Sequence, residues 1–107
     1  MSTASQKQTV NWGGHTFTVY SPSTNWSDAS GVYIFAGKNS SGRWVAYYIG
    51  QAKSFKDRLT NHERWAEAKR LGATHIHAKS VARQADRDSI ESQLIATYKP
   101  PLNSQGK

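Results

Sequence analysis

Two short, strongly β-favouring runs set close together limit how this chain can fold more than any other feature. Residues 31–36 read Gly-Val-Tyr-Ile-Phe-Ala and residues 44–49 read Trp-Val-Ala-Tyr-Tyr-Ile, both rich in β-branched and aromatic side chains. The residues between them, 37–43, are Gly-Lys-Asn-Ser-Ser-Gly-Arg, a turn-forming composition. The pattern predicts an antiparallel hairpin. With Ser40 and Ser41 as the central pair of the turn, Asn39 faces Gly42, and counting outward sets Tyr33 opposite Tyr48. Directly paired residues share a sheet face, whereas a slip of one residue sends the two phenols to opposite faces.

The other segments are predicted from the same local rules. His15–Tyr20 alternates loosely and reads as a strand, and residues 21–30 hold Pro22, Ser23, Asn25, Ser27 and Asp28, a loop vocabulary with Trp26 packing back on the domain. Residues 54–71 are expected to form one helix, with Ser54 as N-cap, Asp57 completing a capping box and Gly72 as the stop. Phe55, Leu59, His62 and Ala66 fall on one face of it. Residues 74–81 read as a strand and residues 84–98 as a second helix, with Ile90, Leu94, Ile95 and Tyr98 as its apolar stripe. Pro100 and Pro101 end that helix. The expected fold is α+β, a small mainly antiparallel sheet (the hairpin plus further strand) packed with two main helices. One domain is expected over residues 12–103, with flexible tails at 1–11 and 104–107.

Charge and composition narrow the class of function. Among 107 residues, 14 Lys+Arg against 7 Asp+Glu give a formal +7, which points to a polyanionic partner such as nucleic acid. Cysteine is absent, excluding disulfides, thiolate catalysis and cysteine-ligated zinc in this chain. Residues 1–8 lack the apolar core of a secretory signal, and no apolar run nears the ~20 residues of a membrane span. A cytoplasmic protein without a membrane partner is expected. Four Trp, five Tyr and three Phe are many for a basic chain of this size, as core filling or as base-stacking surfaces.

A few residues sit awkwardly in a purely structural account. Arg58 and His62 are four apart, hence on one side of the expected helix. They are either a solvated charge and a half-buried histidine, or a guanidinium and an imidazole aimed at a phosphate. Glu91 lies between Ile90 and Leu94, where a carboxylate needs a partner. Either it pairs with Arg87 or a lysine, or it offers a hard oxygen to Mg2+ or Mn2+. Tyr33, Tyr48 and Asn103 are, taken singly, ordinary strand and turn residues.

Together these residues form a pattern. Gly31-Val32-Tyr33 followed by Tyr48-Ile49-Gly50 resembles the paired signature of the GIY-YIG nuclease superfamily, with Val32 in place of the named isoleucine. Arg58, His62, Glu91 and Asn103 match its later arginine, histidine, glutamate and asparagine in order and spacing, and the resemblance spans residues 31–103. Residues 12–26 have no counterpart in it. The resemblance implies a metal-dependent endonuclease that cleaves phosphodiester bonds in nucleic acid, by family habit DNA, with one divalent cation, Mg2+ or Mn2+. Glu91 would hold the metal, and Arg58 would bind the scissile phosphate, with Lys53 as a further phosphate contact. Tyr33 would be the general base, Tyr48 hydrogen-bonded nearby, and His62 could accept the phenolic proton in a Tyr33–His62 relay whose direction of transfer stays open, because a free phenol with pKa ~10 is ionised about once in a thousand at pH 7. Gly50 would let the backbone turn tightly beside the substrate, and Asn103 would pin the C-terminal segment to the site. Nothing resembles an attached zinc finger or helix-turn-helix, so weak sequence preference or a preference for single strands, flaps or branches is expected, the chain acting as a monomer or weak homodimer. The alternatives are a non-cleaving nucleic-acid-binding module of the same fold and a basic adaptor for an acidic protein.

Overall fold

The structure, a computed structural model, describes residues 8–103. The elements run β1 (Thr9–Trp12), β2 (His15–Tyr20), β3 (Gly31–Lys38), β4 (Trp44–Ala52), α1 (Phe55–Leu59), α2 (Trp65–Leu71), β5 (His75–Ser80), α3 (Gln84–Tyr98) and a closing 3-10 turn at Pro101–Asn103. The strands form one antiparallel sheet in the order β1-β2-β5-β3-β4, an α+β fold.

β3 runs inside the sheet between β5 and β4 and is buried along nearly its whole length, so its alternating side chains feed both cores. Tyr33 and Phe35 face a cluster with Trp26, Phe55, Leu59 and Ala68, under α1 and α2. Val32, Ile34 and Ala36 face the other cluster, where α3 brings Leu94 with Ile90 and Ile95 beside it. β4 lies at the sheet edge, so the two faces meet along its outer side. No helix among the described residues is long and apolar enough to cross a membrane.

Strand β1 occupies part of the expected 1–11 tail. Gly13 and Gly14 both take positive φ (56° and 92°), so Trp12 and His15 close a two-residue hairpin, and glycine is the residue that adopts this conformation without strain. Residues 12–26, left without a counterpart above, thus extend the sheet along β5, and Trp12 and Trp26 are buried core residues. Trp26 packs against Tyr20 and Phe55, as expected of it. The expected 104–107 tail lies outside the described residues, as do residues 1–7.

The single helix expected over 54–71 is broken. Ser54 does cap it, its hydroxyl accepting the Asp57 N–H, but α1 ends at Leu59. Thr60, Asn61 and His62 are modest helix formers whose side chains compete for backbone partners. Here the Thr60 hydroxyl donates to the Lys56 carbonyl and the His62 Nδ1 accepts the Arg64 N–H, so the chain turns and restarts at Trp65. Arg58 and His62 therefore do not share a helix.

The hairpin register also differs from the two-residue turn. Asn39 closes a loop of residues 39–43 through its side-chain oxygen, which accepts the Ser41 and Arg43 N–H groups, and the ladder begins at Lys38 opposite Trp44. A shift between Phe35 and Ala36 then inserts Tyr47 as an extra residue, so Tyr48 faces Phe35 and Tyr33 faces Gly50. The longer loop alone would put the phenols on opposite faces. The bulge restores the parity, and Tyr33 and Tyr48 share a face as diagonal neighbours rather than as a direct pair.

Candidate active site

Because β3 runs inside the sheet between β5 and β4, with α1 and α2 over its face, the Tyr33 side chain it delivers is 1% exposed. The phenol lies over Gly50: a Cβ there would come within 2.5 Å of the Tyr33 oxygen and 2.6 Å of Cζ. Gly31, the other motif glycine, faces the Lys79 carbonyl at a distance no Cβ could occupy. Both glycines are therefore required by close approach. The Tyr33 and Tyr48 ring centroids are 6.3 Å apart, and both rings flank Phe35. The hydrogen bond expected between the two phenols is absent. Tyr33 instead bonds His62.

His62, buried in the break between α1 and α2, drops edge-on between Tyr33, Phe35 and Tyr48. Its Nε2 is 2.7 Å from the Tyr33 oxygen. The Nδ1 accepts a backbone N–H from Arg64, so the neutral ring carries its proton on Nε2 and donates it to the phenol oxygen. In this tautomer Nε2 donates to the phenol, whereas the sequence leaves the direction of the Tyr33–His62 relay open. Burial, reinforced by the Arg58 charge, lowers the His62 pKa from 6.5 to about 4, keeping the ring neutral. Burial also raises the Tyr33 pKa well above the ordinary phenolic range, with Tyr48 adding to the rise and Arg58 opposing it. In the free protein Tyr33 is a neutral phenol whose oxygen already accepts a hydrogen bond.

Arg58, on α1, points its fork at Glu63, Nη1 to Oε1 at 2.7 Å and Nη2 to Oε2 at 2.9 Å. That pairing raises the arginine pKa above its usual value and lowers the Glu63 carboxyl to about 2. Lys53, exposed, lines a shallow cavity of about 270 Å³ with Gln51, Asp57 and Arg58.

Glu91 approaches from the other face. It stands half-buried on α3, and its Oε1 accepts from the Gln51 amide at 2.9 Å, Gln51 alternating with Gly50 along β4. The same amide nitrogen donates to Asp88 at 2.6 Å. The phenols and the acid thus stand on opposite faces of the sheet, on either side of its edge strand β4. Tyr48 is nonetheless raised by burial and, among smaller effects, by the Glu91 charge. The ion pair with Arg87 considered for Glu91 does not form: the buried Arg87 donates to the Val81 and Ala82 carbonyls and to Gln84. At the same edge Asn103 takes the place of a strand partner, its Oδ1 accepting the Ile49 N–H and its Nδ2 donating to the Ile49 carbonyl, each at 2.8 Å.

Sequence reasoning missed Glu63, Gln51, Asp88 and the bulge residue Tyr47. A five-residue separation is not a helical pairing distance, so nothing local marks Glu63 as a partner of Arg58. Gln51 and Asp88 meet only when β4 and α3 pack.

The arrangement has solved counterparts. The chain is similar to the GIY-YIG N-terminal endonuclease domain of UvrC from Thermotoga maritima, in a point mutant with tyrosine replaced by phenylalanine and bound to its catalytic divalent cation. The identity is 28% and the TM-score 0.59, over 75% of this chain and 88% of that one. The same domain bound to magnesium is 27% identical with a TM-score of 0.58, covering 71% of this chain and 84% of that one. The chain belongs to the GIY-YIG superfamily. No family sequence model and no curated protein matches it, so the membership rests on the shared fold together with that identity. Within the GIY-YIG fold of this chain, the two motif tyrosines stand on β3 and β4, and Arg58 and His62 come from the segment that follows.

Proposed function

We propose that this GIY-YIG domain is a metal-dependent endonuclease that hydrolyses phosphodiester bonds in nucleic acid, DNA being the substrate. The observation that carries the reading is the 2.7 Å bond from His62 to the Tyr33 oxygen on the motif strand, with the Arg58 guanidinium close enough to oppose the rise in the phenol's pKa. A phosphodiester laid on this face would find a forked cation for its nonbridging oxygens, with Lys53 beside it. Tyr33 would act as general base towards the attacking water. To do so it must first be a phenolate, its own proton released to solvent; the His62 Nε2–H and Arg58 would stabilise that anion, which then takes the proton of the attacking water, a donor's role for His62 rather than an acceptor's.

The residues present fit a divalent cation. Glu91 offers a hard oxygen whose present partner, the Gln51 amide, is neutral and replaceable, and Asp88 lies on the same amide. No group of three metal-binding side chains exists among the described residues. One or two carboxylates, completed by water and substrate oxygens, suit Mg2+. The cation would supply charge for a nonbridging phosphoryl oxygen and for the leaving 3′ oxygen.

The test is incubation of the protein with labelled nucleic acid and Mg2+ or Mn2+, with a chelator control, for the wild type and for Glu91→Gln. Cleavage is expected only with the cation and the intact carboxylate, while Glu91→Gln still binds nucleic acid. Undiminished turnover in that variant or in excess chelator overturns the metal assignment. Binding without cleavage under all these conditions would instead favour the non-cleaving module.

A further inference from the structure

Arg58 is the cation best shaped to receive a phosphate, yet in the free protein its fork is occupied. Both guanidinium Nη atoms reach the two Glu63 oxygens, at 2.7 and 2.9 Å, and this two-point geometry is the one a phosphodiester would present with its two nonbridging oxygens. The carboxylate is held loosely. The Glu63 side chain is 66% exposed and belongs to the short non-helical segment between α1 and α2, so it can leave for water without disturbing either core. An exposed pair of this kind is weak on its own, which makes it displaceable. Its tether, however, keeps the carboxylate near the fork at a millimolar or higher effective concentration.

We infer that Glu63 is a specificity-determining residue, a built-in phosphate mimic that holds Arg58 until a polyanionic nucleic-acid backbone displaces it. Inorganic phosphate, offering one anion, must compete with the tethered carboxylate at that effective concentration. A nucleic-acid strand brings further phosphates, which the exposed Lys53, lining the same shallow cavity as Arg58, can meet at the same time. Glu63 therefore discriminates a polymer from free phosphate. It acts through Arg58 and touches no reacting atom, so it is a positioning residue. This inference rests on the assignment of Arg58 to phosphate binding, but not on cleavage.

The experiment measures binding of a labelled DNA oligonucleotide in chelator over a range of salt, for the wild type, Glu63→Gln, Arg58→Ala, the double variant, and Asp57→Asn as a local charge control. Glu63→Gln is expected to bind about three- to tenfold tighter, with little change in log–log salt slope, because Arg58 meets a phosphate in both complexes and only the cost of displacing the carboxylate is removed. Inorganic phosphate should compete with the oligonucleotide more effectively on Glu63→Gln than on the wild type. In the Arg58→Ala background the substitution should have no effect beyond that of Asp57→Asn. Equal tightening by Asp57→Asn, or an undiminished effect of Glu63→Gln without Arg58, reduces the result to bulk charge and overturns the inference. Arg58-dependent binding that Glu63→Gln leaves unchanged overturns it alone, whereas binding indifferent to Arg58 overturns the phosphate-binding role as well.

Discussion

Gly50 lies under the Tyr33 ring, and replacing it with alanine perturbs the site by a single methyl group. The new Cβ would sit 2.5 Å from the Tyr33 oxygen, 2.6 Å from Cζ and 3.1 Å from Cε1, all far inside van der Waals contact. The ring has nowhere to retreat: it is 1% exposed, with Phe35 and His62 at 5.5 Å between centroids on its other sides. Gly50 is fixed in turn by its ladder pairing with Tyr33. Overpacking of this kind costs about 1–3 kcal/mol. Displacing the ring also sacrifices the 2.7 Å bond from His62, worth about 1 kcal/mol more. The total of about 2–4 kcal/mol corresponds to a fall in Tm of about 8–16 °C for a domain of this size. Thermal unfolding followed by circular dichroism reads the stability, and the NMR signal of the His62 ring reads whether its bond to the phenol survives. A Gly50→Ala protein melting within about 2 °C of the wild type, with that signal unchanged, would refute the close-approach argument.

Two further expectations concern stability. Asn103→Ala removes both hydrogen bonds to Ile49 and leaves the outer side of β4 to water, which should cost about 1–3 kcal/mol, read as a lower urea midpoint; an unchanged midpoint would mean the 3-10 turn does not hold the edge strand. The second is acid sensitivity from His62 and His77, each lowered from 6.5 to about 4, His62 by burial and then by Arg58, His77 by burial and then by His75. The unfolded chain takes up these protons first, so the stability each imidazole contributes is fully present above pH 6.5 and is lost as pH falls towards about 4, up to about 3 kcal/mol apiece. Protonation would also cost His77 its bond from the Trp12 indole and His62 its bond from the Arg64 N–H. Denaturant titrations across that window should show the decline, and a flat profile would contradict the burial of neutral rings.

Much of the molecule was legible without coordinates because it is written in near neighbours. The β-branched and aromatic runs predicted β3 and β4, the alternation of His15–Tyr20 predicted β2, the stripe and double proline around Gln84–Tyr98 predicted the approximate extent of α3, and Ser54 caps α1 as its hydroxyl suggests. The two tyrosine motifs and the four later polar residues could likewise be picked out in order. What could not be read is whatever depends on segments meeting. The loop of residues 39–43 and the bulge at Tyr47 together decide which phenol faces which residue, and each alone would have changed the parity. The turn at His62 was hidden because its apolar neighbours continue a helical stripe, while the competing bond to the Arg64 N–H appears only once the chain has bent.

By itself, then, the chain's order of residues determined its elements, its charge and the list of groups available for phosphate chemistry, since propensity, capping and spacing act over a few residues. Only the assembled fold decided that His62 donates to Tyr33 instead of receiving from it, that Glu63 fills the fork of Arg58, and that Glu91 reaches the β4 edge from the opposite face. Protonation states and ion pairs are set by burial and by partners distant in sequence or across a break in the chain, and these exist only after the sheet has closed and the helices have packed.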